Sequence, residues 1–170
     1  MSSRPSARRP TRRSASTSAR GRAAEDFVAA WLQEQGWTLI TRNWRGGGGE
    51  LDLIASRGGI VAIVEVRSAR RGAIIRPEDS VDARKRRRIL AATSAWLGHC
   101  AEAQARSRSV PPSHLRDDRA GPRACPIDHS IGFDPKNRVF RFDVASVVRE
   151  DGDFRLHYYE SAFEAESLLL

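Results

Sequence analysis

The stretch of chain from Gly49 to Arg67 alternates apolar and polar residues on both sides of the pair Gly58-Gly59. Gly-Gly is a common two-residue turn of β-hairpins, because glycine accepts the positive φ angles that such turns need. We therefore predict a β-hairpin over residues 50–67 with the two glycines as its loop. This feature constrains the fold most, because the turn of a hairpin fixes which residues face each other across its strands.

The turn sets a register in which two carboxylates are opposed. With this loop, Asp52 lies opposite Glu65, and Glu50 lies opposite Arg67. Side chains of a strand point the same way at every second residue, so all four share one face. Opposed residues have Cβ atoms about 4.5–5.5 Å apart. Two carboxylates at that distance repel each other unless a cation lies between them, and a hard ion such as Mg²⁺ or Mn²⁺ takes oxygen ligands.

A second interpretation of the hairpin stays open from these residues alone. The hairpin could lie at the surface, with solvated charges and a cross-strand ion pair between Glu50 and Arg67, because acidic pairs are common on exposed faces. The register is itself a prediction. A slip of one residue would place the two carboxylates on opposite faces of the sheet.

The charge balance predicts a polyanionic partner. The chain has 170 residues, a net charge of +8 and a pI of about 10.8. Such values indicate nucleic acid first and an anionic membrane second. Residues 1–22 carry seven arginines and no acidic residue. We interpret residues 1–20 as a disordered basic tail, because they contain no large apolar side chain after the first residue.

Length and composition predict one domain in the cytoplasm. Hydrophobic residues make up 40% of the chain, which is enough for one core. No apolar run approaches transmembrane length, and the N-terminus lacks the apolar segment of a secretory signal. The two cysteines suggest no disulfide framework, so a reducing compartment is expected. We therefore expect a cytoplasmic protein that does not bind membranes, with an oligomeric state that the sequence leaves open.

Apolar periodicity predicts the element order α-β-β-β-α-β-β around one sheet. The helices are placed at residues 21–36 and 79–97, and Asp79 or Ser80 is expected to cap the second helix. The strands outside the hairpin are placed at residues 37–44, 137–149 and 154–160. This order leaves one domain over residues 21–163.

Three further segments have no predicted element. The glycine-rich residues 45–49 are expected to form a flexible loop beside the hairpin. Residues 98–136 are rich in Pro, Arg, Ser and Asp and show no period, which predicts a long disordered insert. Residues 164–170 are expected to be a C-terminal tail.

Short motifs recur along the chain in a fixed order. They are G-R-A-A-E at Gly21–Glu25, R-N-W-R at Arg42–Arg45, G-E-L-D-L-I at Gly49–Ile54, V-E-V-R at Val64–Arg67, the helical Lys85, and R-F-D-V at Arg141–Val144. With this set the chain resembles the YraN-like family of uncharacterised bacterial proteins. The resemblance covers residues 21–97 and 138–163, and an ordered set of motifs is far more specific than any one of them.

This resemblance implies a restriction-endonuclease-like α/β fold, with a single mixed sheet flanked by helices and a PD-(D/E)xK site. It implies Asp52 and Glu65 as metal ligands, and the backbone carbonyl of Val66 as a third. It also implies that Glu25, on the first helix, lies near the metal. The implied activity is Mg²⁺- or Mn²⁺-dependent cleavage of nucleic acid, with DNA expected ahead of RNA.

Arg67 departs from the family's pattern, which usually has Lys at this position. In nuclease members of the fold, that Lys positions or activates the attacking water. Arginine has a pKa above roughly 12 and cannot act as a base, although it can bind phosphate and stabilise negative charge. Two functions therefore stay open, an endonuclease with a modified site and a DNA- or RNA-binding protein with a relic site.

Lys85 on the second helix is a candidate substitute for that Lys. It lies one turn before Ile89, on the side of the apolar stripe, so it could reach the site or snorkel at the edge of the core. Arginines surround it and predict contacts with phosphates. These are Arg84, Arg86, Arg87 and Arg88.

Overall fold

The computed structural model describes residues 12–69, 81–109, 137–150 and 152–164. Within these ranges the chain forms two helices and one five-stranded sheet. In chain order the elements are α1 (Arg12–Glu34), β1 (Thr38–Gly46), β2 (Gly49–Arg57), β3 (Ile60–Ala69), α2 (Ala83–Ser109), β4 (Val139–Glu150) and β5 (Asp153–Phe163). The predicted element order and α/β class are confirmed.

The five strands lie in the sheet in the same order as in the chain. Three of the four neighbouring pairs are antiparallel, and β3 and β4 run parallel to each other. Parallel neighbours need a long crossover connection, and the segment between β3 and β4 contains α2. The sheet is therefore mixed, as expected.

Each helix covers one face of the sheet. Alternation along β3 turns Val64 toward α1 and Ile63 toward α2. The α1 side includes Ala24, Val28, Leu32, Leu53 and Ala55. The α2 side includes Ile54, Val81, Ile89, Ala92 and Trp96. Strands β2 and β3 are thus buried on both faces, so a polar side chain on either of them is an exception.

Helix α1 begins at Arg12, earlier than the predicted start at residue 21. Residues 12–20 contain Ala, Ser, Thr and Arg but no Gly or Pro, and Ala and Arg are strong helix formers. This part of the predicted disordered tail therefore continues the helix. Residues 1–11 lie outside the described ranges.

The N-cap of α2 is Asp82. Its Oδ1 accepts a hydrogen bond from the backbone N–H of Lys85 at 2.7 Å, which satisfies one of the free donors of the first turn. The predicted caps, Asp79 and Ser80, lie outside the described residues.

Helix α2 ends at Ser109, beyond the predicted end at residue 97. Its last turns are rich in Ala and carry an ion pair between Glu102 and Arg106, four residues apart. The predicted insert is therefore helical in its first part, and the described residues resume at 137. No helix in the described part of the chain is long and apolar enough to cross a membrane.

The glycines of residues 45–49 form a tight hairpin turn, so the predicted flexible loop is wrong. Gly47 and Gly48 have φ angles of 59° and 75°, as a two-residue turn between β1 and β2 requires. The turn also packs on α2. A Cβ atom on Gly49 would lie 2.5 Å from the carbonyl oxygen of Arg88, a distance that real Cβ contacts do not reach. Gly49 is therefore needed for the close approach of this turn to α2.

The C-terminal strands form a hairpin at one edge of the sheet. β4 and β5 confirm the predicted strands, and β5 continues to Phe163, three residues beyond the predicted end at Glu160. Phe163 pairs with Phe142 in the ladder, and their rings stack with centroids 5.0 Å apart. Residues 165–170, in the predicted tail, lie outside the described ranges.

Candidate active site

The β2–β3 hairpin has the predicted register. Its hydrogen-bonded ladder starts beside the glycine turn and ends at the pair Leu53–Val64. Asp52 and Glu65 are the next residues on the two strands, so regular pairing ends just before the carboxylates. Glu65 lies two residues beyond Ile63, which faces α2, so its carboxylate is on the α2 side of the sheet. The charges of Glu65 and Lys85 both act on Asp52, which places the two carboxylates close together.

The carboxylate of Asp52 is held by the backbone of β3. Its Oδ2 accepts a hydrogen bond from the N–H of Val66 at 2.8 Å. A side chain of β2 thus takes the place of a backbone acceptor where the ladder ends. This bond fixes Asp52 beside Val66. The carbonyl oxygen of Val66 is the predicted third metal ligand.

Glu65 is buried and contacts two cations. Only 5% of the residue is exposed. Its Oε1 lies 3.0 Å from Nζ of Lys85 and 3.4 Å from Nε of Arg67. The Nε atom of Arg67 is itself buried and has no hydrogen-bond partner among the described residues. Lys85 therefore reaches the site from α2, and the interpretation of the hairpin as a solvated surface element is wrong, because a buried carboxylate needs such partners.

Negative charge is poorly compensated at Asp52. Burial and the charge of Glu65 raise the pKa of Asp52 to about 7, and the charge of Glu25 acts in the same direction. The hydrogen bond from Val66 and the charge of Lys85 lower this pKa without cancelling the rise. Near neutral pH the ionised pair is strained, and an added cation would relieve it.

Glu25 lies at the same end of the sheet as Asp52. The Glu25 side chain is half-buried, and its charge acts on Asp52. The next residue, Asp26, forms an ion pair with Arg42 of β1. Across the described ranges, however, no three side chains of His, Cys, Asp or Glu are close enough together to hold a metal ion. The role of Glu25 as a ligand therefore stays a prediction.

The family model of the uncharacterised protein family UPF0102 matches residues 24–147, which include both carboxylates and Lys85. The chain belongs to family UPF0102. The predicted YraN-like membership is thereby confirmed.

Several UPF0102 proteins are similar to this chain over different lengths. One from Anaeromyxobacter dehalogenans is 33% identical over 86% of this chain and 84% of its own length. One from Bacteroides thetaiotaomicron is 28% identical over 84% of this chain and 90% of its own length. One from Halorhodospira halophila is 44% identical over 46% of this chain and 64% of its own length. These names describe a family and no activity.

The ion pair between Glu50 and Arg67, which belonged to the interpretation of the hairpin as a surface element, is not formed by these two described residues. Glu50 instead pairs with Arg45 on β1, where Nη2 and Oε1 are 3.0 Å apart. The two residues are direct partners in the β1–β2 ladder, whereas the β2–β3 ladder has already ended at this point. Arg67 is thus available to the buried Glu65.

The arginines of α2 divide into two groups. Arg86 is half-buried, its Nε donates a hydrogen bond to the carbonyl of Val81 at 2.8 Å, and its guanidinium lies over the ring of Phe163. It therefore contributes to the fold, and its role in binding nucleic acid stays a prediction. The other three are exposed and are called the basic face below. They are Arg84, Arg87 and Arg88.

Sequence reasoning missed Asp82, which positions Lys85. By capping α2 at the N–H of Lys85, Asp82 fixes where the helix begins and how Lys85 enters the site. An Asp three residues before a helical residue is a usual capping signal. The signal was present in the sequence, but the earlier Asp79 and Ser80 competed with it.

Asp143, on the α1 side of the sheet, has a structural role. It is fully buried and accepts hydrogen bonds from Arg141, the Tyr158 hydroxyl and the N–H of Ser161. Burial and the neighbouring Asp143 charge raise the pKa of Tyr158. With its oxygens satisfied in this way, Asp143 ties β4 to β5.

Proposed function

We propose that this protein is a Mg²⁺- or Mn²⁺-dependent nuclease with a restriction-endonuclease-like fold. The observation that carries the proposal is the pair Asp52–Glu65, two carboxylates brought together at the end of a ladder with a lysine beside them. The mixed five-stranded sheet between two helices is compatible with that fold. The positive net charge supports nucleic acid as substrate. The resemblance to the restriction-endonuclease-like fold favours DNA over RNA.

The side chains present fit a hard divalent cation. Mg²⁺ is usually bound by one or two carboxylates, with water and substrate phosphates as its remaining ligands, so two side chains suffice. Asp52 and Glu65 would hold the ion, with the Val66 carbonyl and Glu25 as the further candidate ligands. When bound, such an ion polarises a phosphoryl oxygen and lowers the pKa of water.

Lys85 and Arg67 would share the task of the motif lysine. Lys85 places a compact ammonium group 3.0 Å from Glu65, from where it can donate to a water or a phosphate oxygen. The Arg67 side chain is 36% exposed, so its guanidinium can also contact a phosphate and stabilise charge in the transition state. The basic face would hold the flanking phosphates.

The second candidate is a DNA- or RNA-binding protein with a relic site. The observation in its favour is Arg67 itself, which stands where the family usually has Lys and cannot act as a base. This protein would use the same basic surfaces without cleavage.

A panel of duplex, single-stranded and branched substrates tests the proposal. The wild-type protein and Glu65→Gln, which keeps the shape of the side chain, are incubated with Mg²⁺, Mn²⁺ or EDTA. We expect metal-dependent cleavage by the wild type and none by Glu65→Gln, with nucleic-acid binding retained by both. Binding without cleavage of any substrate would favour the relic site. The absence of both binding and cleavage would contradict the two candidates.

A further inference from the structure

Helix α1 begins twelve residues before its first buried position among the residues whose burial is described, from Ala19 onward. That position is Ala24, which is 1% exposed, whereas Ala19, Arg20 and Arg22 are all exposed. Residues 12–22 of the helix, called the arm below, therefore precede the packed part. The family match begins at residue 24, so the arm lies outside it.

Two contacts fix the direction in which the arm leaves the sheet. Near the C-terminal end of α1, the carbonyl of Gln35 accepts a hydrogen bond from Arg57, next to the hairpin turn. Toward its N-terminal end, Asp26 pairs with Arg42, and the charge of the adjacent Glu25 raises the pKa of Asp52. Helix α1 thus runs from the carboxylates toward the turn, and the arm extends past the carboxylate end.

The arm is long and carries only positive charge. At about 1.5 Å per helical residue, the distance from Glu25 back to Arg12 is roughly 20 Å. The arm contains no acidic residue, and its arginines are Arg12, Arg13, Arg20 and Arg22. These charges add to the positive potential at this end of the molecule, and such a potential attracts a polyanion.

The basic face lies on the other side of the sheet at the same end. Helix α2 begins there, because Lys85 contacts Glu65 from the first turn of the helix. The arm belongs to the helix on the opposite face. Two basic segments therefore flank the carboxylate pair from the two faces of the sheet.

We propose that the arm binds the phosphate backbone of a nucleic-acid duplex that lies across the carboxylate end. This inference rests on the proposed function for the identity of the polyanion. A duplex carries about one charge per 1.7 Å of its axis on two separate strands, so it can present phosphates to both basic segments at once. A single strand offers one track of phosphates to one segment. Neither segment needs to read bases, so binding is independent of sequence.

The role of the arm is tested by measuring nucleic-acid binding in EDTA, which prevents metal-dependent cleavage. Fluorescence anisotropy in EDTA measures affinity for a duplex and for a single strand of the same sequence, from about 50 to 200 mM salt. The test variant is Arg20→Gln/Arg22→Gln. The matched control is Arg57→Gln/Arg106→Gln, which removes the same charge from exposed positions beside the Gly58-Gly59 turn and near the C-terminal end of α2, away from the carboxylate end.

The log–log salt slope of duplex binding should become shallower by about 0.9 for each phosphate that the arm no longer neutralises, and affinity at 0.1 M salt should fall roughly eightfold per phosphate. We expect these changes in the arm variant and not in the control. An unchanged slope in the arm variant, with a wild type that binds duplex, would overturn the arm alone. An equal reduction in affinity for single strands would overturn the assignment to duplex. A wild type that binds neither ligand would overturn both this inference and the proposed function.

Discussion

Nζ of Lys85 lies 3.0 Å from Oε1 of Glu65, whereas Nε of Arg67 lies 3.4 Å from the same oxygen. The first distance is that of a normal charge-assisted contact, and the second exceeds the usual range of a hydrogen bond. A lysine from α2 is therefore the closer cation at a carboxylate where the family's motif expects a lysine from the strand. The predictions about catalysis depend on this relationship.

Lys85→Met should lower the cleavage rate by about 10²–10³, the usual effect of removing one preorganised charge-stabilising group. Methionine keeps much of the length of the side chain and removes its charge. Arg106→Met is the matched control, because Arg106 is an exposed cation near the far end of the same helix. Single-turnover cleavage at saturating metal measures the effect. Cleavage by Lys85→Met at the wild-type rate would show that Lys85 takes no part in the reaction.

Arg67→Lys should change the cleavage rate by less than about tenfold, because Lys85 already supplies the closer cation. The variant keeps the positive charge beside Glu65, so the folded structure should tolerate it. The measurement is the same single-turnover rate. A gain of a hundredfold or more would instead mean that the strand position is the effective one and that Arg67 handicaps the site.

The stability of the metal-free protein should fall as pH rises from about 4 to about 7. In this range the folded protein keeps a proton on Asp52, whose pKa is raised to about 7, and the unfolded chain, with a pKa of 3.8, has lost it. Because the folded state binds more protons, unfolding becomes easier with rising pH, by on the order of 1–4 kcal/mol from this group.

Asp52→Asn isolates this contribution, since the amide oxygen of Asn can still accept the Val66 hydrogen bond and does not titrate. Urea unfolding in EDTA at about pH 5 and pH 8 gives the free energy of unfolding of both proteins. We expect the variant to lose less stability than the wild type between the two values. Equal losses would contradict the raised pKa of Asp52.

Gly49→Ala should destabilise the fold by about 1–3 kcal/mol, the usual cost of overpacking. Its Cβ would lie 2.5 Å from the backbone oxygen of Arg88 and 3.2 Å from Cβ of Ala92, so α2 must shift. Gly59→Ala is the matched control, because Gly59 also follows a turn residue and an added Cβ there has no atom within 4 Å. Urea unfolding compares the two. Similar effects at both positions would show that the turn does not press on α2.

Structural features that depend on neighbouring residues could be predicted from the sequence. The Gly58-Gly59 turn correctly predicted the β2–β3 register, and with it the neighbouring positions of Asp52 and Glu65. A two-residue turn acts through the residues directly beside it, so no distant part of the chain is needed to deduce its register. The apolar stripe of α2 was equally local, and it correctly placed Lys85 on the side that faces the sheet.

Features that depend on contacts between distant parts of the chain could not be predicted from the sequence. The Gly47-Gly48 turn looked flexible because its packing partner, α2, is about forty residues away in the chain. Arg86 looked like its exposed neighbours because Phe163, the ring beneath it, lies on the last strand. The pairing of Glu50 with Arg45 depended on where the β2–β3 ladder ends, and hydrophobic alternation does not encode that point.

The most direct measurement of the proposed site is calorimetric titration of Mn²⁺ into the protein at a pH above 7, where Asp52 is ionised. The comparison uses wild type, Asp52→Asn and the control Glu50→Gln, which removes a neighbouring carboxylate that pairs with Arg45. If the carboxylate pair binds metal, wild type and Glu50→Gln will show the same saturable heat, and Asp52→Asn will lose it. The same heat from wild type and Asp52→Asn would contradict a metal site at Asp52 and Glu65.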